Sequence, residues 1–256
     1  HHCMDILLQR KRFPSFVNRV TNRFLTHYVL APTDFVRRSV MAEDHVPDRK
    51  IIVVPAMIDL AEWTFDPTVQ AEVRKKLGVE GKTIFGSAGR IYWMKNYASM
   101  LRAFAELKDP NSVFLVVGGD VGGELARLRQ LANSLGIADR VVFTGYYPHI
   151  KEALSALDVY VHASLTEAFG QTIMEAMALS RPVVSTAVGV AEAVVRSGEN
   201  GFSVPPGDQQ AMTNALRLME QARPRWGEMG RRSRELIAQF GAPTVVPQYE
   251  ALYTSW

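Results

Sequence analysis

Between Thr83 and Val204 the chain alternates short runs rich in β-branched and aromatic residues with stretches of helical periodicity, and this alternation narrows the fold more than any other feature. Six runs read as strands: Thr83 to Ala88, Val113 to Gly118, Val141 to Thr144, Val159 to His162, Pro182 to Thr186 and Phe202 to Val204. Most are continuous apolar runs, as strands covered on both faces must be. Helices are expected near 96–108, 123–135, 148–156, 171–180 and 189–197. The expected fold class is therefore α/β, a Rossmann-like doubly wound parallel sheet with right-handed crossovers and ligands beyond the carboxyl ends of its strands. After Gln209 the sequence reads as helix, broken at Pro224 and at Gly241-Ala242-Pro243.

The first 80 residues differ. Residues 27–31 and 51–54 are strand-like, Pro55 to Asp66 is irregular, and Pro67 to Leu77 is helical in pattern. Phe13, Phe16, Val17, Val20 and Phe24 recur at helical spacing, with Arg10, Lys11, Arg12, Arg19 and Arg23 on or near the other face. Two readings stay open: a basic helix resting on an anionic membrane, or a helix packed on a domain with its cationic face in water. Lys plus Arg number 29 against 26 Asp plus Glu, a net charge of +3 that is small for a protein devoted to nucleic acid, so no such partner is expected. The single cysteine, Cys3, closes no internal disulfide and fits a reducing compartment. No apolar run approaches the roughly 18 residues of a spanning helix. The start also lacks the apolar stretch of a signal peptide, so the expected location is cytoplasmic, with peripheral contact to the inner membrane face under the first reading.

Chemistry-bearing residues fall where such a sheet would gather them. Gly86-Ser87-Ala88-Gly89-Arg90 with Lys95 combines a turn in which backbone can approach a ligand with two cations, a pattern that suits a diphosphate or an ordinary strand-to-helix turn. Ser164 to Ala178 follows the fourth strand and should start a helix near Gly170 or Gln171, whose free amides favour anions. Glu167 then lies in the loop ahead of that helix and Glu175 in its second turn, where each carboxylate can accept from a vicinal diol. The alternative makes Glu167 a complement to the helix dipole and Glu175 part of a solvated face. Gly189 stands at a strand-to-helix junction for packing or for a ligand, and Asp208 suits a helix cap. Tyr146 and Tyr147 either frame a nucleobase or form a surface turn. His149 and His162 stand apart from each other and from cysteine, and no Asp-x-Asp pair occurs, so no metal site is expected.

Together these segments resemble the carboxyl-terminal, donor-binding domain of a GT-B glycosyltransferase of the group 1 type (glycosyltransferase family 4). The resemblance covers nearly all of residues 28–256 and rests on Ala31-Pro32-Thr33, on Lys50 to Asp59 and on Gly89-Arg90 with Lys95. It includes Glu167-Ala168-Phe169-Gly170 with Glu175, and the Gly189 and Gly201 segments. It implies that Arg90 and Lys95 bind the donor diphosphate and stabilise the leaving group, that Glu167 contacts the transferred sugar, and that Glu175 holds the ribose. Gly89 and the backbone of Ala168, Phe169, Gly170 and Gln171 would face the donor, with Thr172 a phosphate donor and Tyr146 beside the base. It further implies a retaining sugar transfer from a nucleoside diphosphate sugar to a hydroxyl acceptor such as a sugar, lipid-linked saccharide or small molecule. No metal and no cofactor other than that donor is required. A nucleotide-sugar-binding module without turnover and a GT-B sugar-nucleotide epimerase are the alternatives.

The chain departs from the family pattern in three places: Ala56-Met57 where members often carry Asn-Gly, Asn96 where Gly follows the Lys, and Val190 where a second Gly stands. None removes a charged group. GT-B enzymes have two Rossmann-like domains. On that pattern residues 1–80 are the remnant of the amino-terminal acceptor domain and linker, 81–240 the donor-binding domain and 241–256 a crossover helix. The chain is then expected to be a fragment of a longer product or to borrow its partner domain, with Tyr249, Leu252, Tyr253 and Trp256 exposed.

Overall fold

The structure, a computed structural model, describes Thr21 and residues 25–254. The basic helix expected over 13–25, Cys3 and Trp256 therefore lie outside the described residues or, for the helix, almost wholly so. Two short strands, β1 (Val29–Ala31) and β2 (Ile51–Val53), pair in parallel around helix α1 (Asp34–Glu43). A small apolar cluster of Ala31, Val46 and Ile51 holds them. Helix α2 (Pro67–Lys76) begins at Asp66, whose carboxylate accepts from the Thr68 amide at 2.8 Å, with Pro67 supplying a first position that needs no donor.

The main unit alternates as the sequence predicts. Its elements are β3 (Thr83–Ala88), α3 (Tyr97–Ala105), β4 (Ser112–Val117), α4 (Glu124–Ser134), β5 (Val141–Gly145), α5 (Ile150–Ser155), β6 (Val159–His162) and α6 (Gln171–Ala178). They continue as β7 (Val183–Thr186), α7 (Ala191–Val194), β8 (Gly201–Val204), α8 (Gln209–Gln221), α9 (Trp226–Ile237) and α10 (Ala242–Thr254). The six strands β3 to β8 form one wholly parallel sheet in the order β5-β4-β3-β6-β7-β8.

Period-two alternation divides the core between the two faces of this sheet. Ile84, Leu115, Tyr160 and Val183 point to the face covered by α2, α5, α6 and α9. Their neighbours Phe85, Phe114, Val161 and Val184 point to the face covered by α3, α4 and α8. Both faces being buried explains why β3 and β4 carry no exposed position at all.

The irregular stretch from Pro55 to Asp66 is fixed from outside. The Arg234 guanidinium on α9 donates to the carbonyls of Trp63 (2.7 Å), Leu60 (2.8 Å) and Ala178. Exposure of the last helix is corrected in part: Tyr249 is half-buried and donates its hydroxyl to the Pro55 carbonyl at 3.3 Å, and Leu252 is half-buried, leaving Tyr253 exposed. The helix expected over 189–197 shortens to α7, because the Asn200 side chain accepts from the Arg196 amide (2.8 Å) and donates to the Val194 carbonyl (3.1 Å), turning the chain early. No helix among the described residues is long and apolar enough to cross a membrane.

Candidate active site

The strand order reverses between β3 and β6, so the loops that follow these neighbours part and leave a crevice at the carboxyl edge of the sheet. The first loop turns at Gly89, whose carbonyl accepts from the Tyr97 hydroxyl at 3.2 Å. Beside it, Gly118 follows β4 with φ +150°, and a Cβ there would stand 1.8 Å from the Gly89 oxygen, so only glycine lets the two loops touch. A single 3-10 turn, Trp93–Lys95, then presents Lys95 and ends at Asn96 in the left-handed region (φ 50°, ψ 44°). Asparagine is among the few side chains that tolerate this conformation, which explains how the chain keeps the turn without the glycine of the family pattern. The amide of Leu165, in the loop after β6, donates to the Met94 carbonyl at 2.9 Å and ties the two loops together.

Lys95 and Glu167, one from each loop, form an ion pair through Glu167 Oε1. The same oxygen is reached by the Ser164 hydroxyl at 2.9 Å and by His162 Nε2 at 3.1 Å. Burial alone would push the Glu167 carboxyl up, but the His162 hydrogen bond, the Lys95 charge and the Lys95 hydrogen bond outweigh it and hold the group at about 2. His162 is buried, and burial drives its imidazole below the ordinary range against the pull of Glu167. A neutral ring facing a carboxylate is assigned the Nε2–H tautomer, with Nδ1 lying 3.3 Å from Ser185 Oγ, whose hydroxyl donates to the Thr186 carbonyl at 2.9 Å. Thr186 donates to the Ser164 carbonyl at 2.8 Å and closes the network from β7.

Helix α6 opens at Gly170 (φ 98°), leaving first-turn amides without intrahelical acceptors. Gln171 is exposed and Thr172 half-buried. The Tyr160 phenol donates to Thr172 Oγ1 at 2.7 Å, so the Thr172 proton is free for another acceptor. Glu175 is buried, which rules out the solvated face. Burial pushes its carboxyl up to about 7, with the Gln171 hydrogen bond opposing and the Glu62 charge adding to the rise.

The Ala168-Phe169 stretch is held from behind. Thr33 donates to the Ala168 carbonyl at 3.2 Å while accepting from the Val36 amide at 3.1 Å as the cap of α1. The Val190 amide donates to the Phe169 carbonyl at 2.6 Å, and the Phe169 ring meets Phe240 edge-on at 6.1 Å. At Gly189 (φ 58°) a Cβ would lie 2.4 Å from the Phe169 oxygen, so of the two readings of this glycine the packing one accounts for it.

Two sequence expectations are modified by this geometry. Arg90 is exposed and has no ion-pair partner among the described residues, whereas Lys95 is engaged by Glu167, so no contact gathers the two cations. Tyr146 is 81% exposed beside Gly119, and Tyr147 turns inward beneath the Lys76 ammonium, 5.4 Å from its ring centroid. No role falls to His162 from the sequence, and Ser164 enters there only as the first residue of the Ser164–Ala178 segment. Their signal is positional: both precede Glu167, at the end of a strand whose partner loop carries a lysine.

Comparison with known proteins agrees with this architecture. The family model described as "Glycosyl transferases group 1" matches residues 69–236. N-acetyl-alpha-D-glucosaminyl L-malate synthase of Bacillus anthracis is 30% identical over 224 residues, covering 85% of this chain and 58% of that protein. Alpha-monoglucosyldiacylglycerol synthase of Streptococcus pneumoniae is 35% identical over 181 residues, covering 67% of this chain and 40% of that protein. The crystal structure of Anabaena Alr3699/HepE in complex with UDP and glucose superposes with a TM-score of 0.86 at 25% identity, covering 94% of this chain and 68% of that one. The chain thus spans about half the length of the curated relatives it matches.

Proposed function

The chain belongs to the group 1 glycosyl transferases, and from that premise we propose that it carries the donor half of a retaining transferase acting on a nucleoside diphosphate sugar. The observation that carries this reading is the placement of Lys95, Glu167 and the α6 amino terminus around one crevice, at the point where the strand order reverses. Residues 81–240 are the donor-binding domain in this reading. Residues 1–80 belong with the acceptor-binding side, and residues 241–256 return toward it.

Arg90, Lys95, the Thr172 hydroxyl and the first amides of α6 take the diphosphate and stabilise the charge that grows as the bond to the sugar breaks. An ammonium has three donors, so Lys95 can keep Glu167 and still reach a phosphate oxygen. Glu167 accepts from hydroxyls of the transferred sugar and Glu175 from the ribose diol, with Tyr146 beside the base. The acceptor hydroxyl attacks from the face the nucleotide leaves, and its proton passes to the departing phosphate, which retains the anomeric configuration. The Anabaena protein holds UDP and glucose in its crystal, which makes UDP-glucose the first donor to try.

The decisive experiment is release of sugar or its transfer to added acceptors from UDP-, GDP- and ADP-glucose, followed by chromatography. Glu167→Ala is expected to lower turnover by roughly 10- to 150-fold, the equivalent of one hydrogen bond to a charged group. Undiminished turnover in that variant would remove Glu167 from the site, and nucleotide-sugar binding without any product would favour a binding module.

Glu175 supplies a second prediction. With its carboxyl at about 7, a ribose diol must wait for ionisation, so UDP-glucose affinity should rise about tenfold between pH 6 and pH 8. Binding at pH 6 should release a proton, read by calorimetry in buffers of different ionisation enthalpy. Glu175→Gln should abolish both effects. The same shift makes the fold lose stability as pH rises from the ordinary carboxylate range through 7, because the folded state holds that proton more tightly.

A further inference from the structure

Every polar contact of Glu167 falls on one oxygen. Lys95 Nζ, Ser164 Oγ and His162 Nε2 all meet Oε1, while Oε2 has no hydrogen-bond or ion-pair partner among the described residues. The terminal torsion of a glutamate is broad, so an unrestrained carboxylate would exchange its two oxygens freely. Here three donors on a single oxygen suppress that rotation. Two of the three come from a buried stack beneath the carboxylate. Ser164 is fully buried and lies 2.9 Å from His162 Nε2. The imidazole is braced by Ser185 on β7 and stacks on Tyr160 with 6.4 Å between ring centroids.

We propose that His162 is a positioning residue which, with Ser164, fixes Oε1 of Glu167 and thereby reserves Oε2 for a hydroxyl of the transferred sugar. This rests on the reading of Glu167 given above. The ring acts as a neutral N–H donor. A charged ring would stand in a buried site beside the Lys95 ammonium. The groups facing Glu167 are Lys95 from the turn after β3, Tyr97 from α3, Tyr160 and His162 from β6, and Ser164 from its own loop. Of these, His162 and Ser164 approach Oε1 from the protein side, and Lys95 approaches from the crevice loop.

The test compares His162→Phe, which keeps the ring shape but loses the donor, with His162→Gln, whose amide nitrogen can stand near the lost Nε2. Each is assayed for sugar release from UDP-, GDP- and ADP-glucose and for binding of the corresponding free diphosphate. His162→Phe is expected to lower kcat on the order of 10- to 150-fold, the range of one charge-assisted hydrogen bond, with diphosphate affinity held within twofold. His162→Gln should recover most of the rate. A second readout needs no turnover: the ¹³C carboxyl signal of Glu167, assigned by its loss in Glu167→Gln, should titrate at least one unit higher in His162→Phe than in the parent and return in His162→Gln.

A parent-like kcat and an unmoved carboxyl titration in His162→Phe would overturn the positioning role. Loss of diphosphate binding together with activity, without rescue by His162→Gln, would overturn it in favour of a packing role. Failure of the underlying reading is distinct, since it would show as full turnover in Glu167→Ala whatever His162 does.

Discussion

Replacing Arg90 and Lys95 together by alanine is expected to weaken nucleoside diphosphate binding by a factor of roughly 10² to 10⁴, the sum of two charge-assisted interactions of about 1.5–3 kcal/mol each. The two contributions differ in kind. Arg90 is exposed and pairs with no carboxylate among the described residues, so its removal leaves no buried charge behind. Lys95 neutralises Glu167, so its removal both subtracts a phosphate ligand and leaves a carboxylate held by Ser164 and His162 alone. The single variants should therefore separate: Arg90→Ala acts on affinity, and Lys95→Ala acts on affinity and on the ionisation of Glu167. Calorimetric titration with UDP, GDP and ADP measures all three variants. Unchanged affinity in the double variant would remove both cations from the site.

A large effect on stability is expected at Gly118→Ala. The added methyl would have to share space with the Gly89 carbonyl, 1.8 Å from its oxygen and 2.8 Å from its carbon, in a backbone conformation side chains rarely adopt. Neither strand can yield, because β3 and β4 pair along their whole length. A clash of this kind should cost about 3 kcal/mol or more, lowering the thermal midpoint by about 6–12 °C for a chain of this size. Gly122→Ala is the control. It shares a positive φ (82°) but has nothing within 4 Å, so it should cost only about 1 kcal/mol of left-handed strain. Equal midpoints for the two variants would show that Gly118 is kept for conformation alone and not for the contact between the loops.

Local pattern made the sheet legible. Continuous apolar runs such as those at Ser112–Val117 and Thr83–Ala88, bounded by turn residues, locate strands to within a residue or so. The cap at Asp208 was equally readable, and its carboxylate accepts from the Ala211 amide at 2.9 Å. What could not be read was anything fixed by strand order. Lys95 and Glu167 meet because β3 and β6 are neighbours, and no periodicity states that. The environment of His162 was hidden for the same reason: its partners come from its own loop, from β7 and from the turn after β3. Asn96 was visible as a departure from the glycine of the family pattern, but only its left-handed backbone shows that the turn itself is intact. Glu175 was the reverse case, since its apolar neighbours along α6 already marked it as buried.

The reversal of strand order also bears on how the molecule comes together. Within β3-β4-β5 and within β6-β7-β8 each strand pairs with one close by in the chain, whereas Phe85 pairs with Val159 and Gly86 with Tyr160 across a long excursion. Closing so large a loop is entropically slow, so the two halves are expected to assemble early and their seam late. Lys95 lies on one half and Glu167 on the other. The crevice is thus the last region to acquire its shape during folding, and an ion pair across it reports that the two halves have found each other.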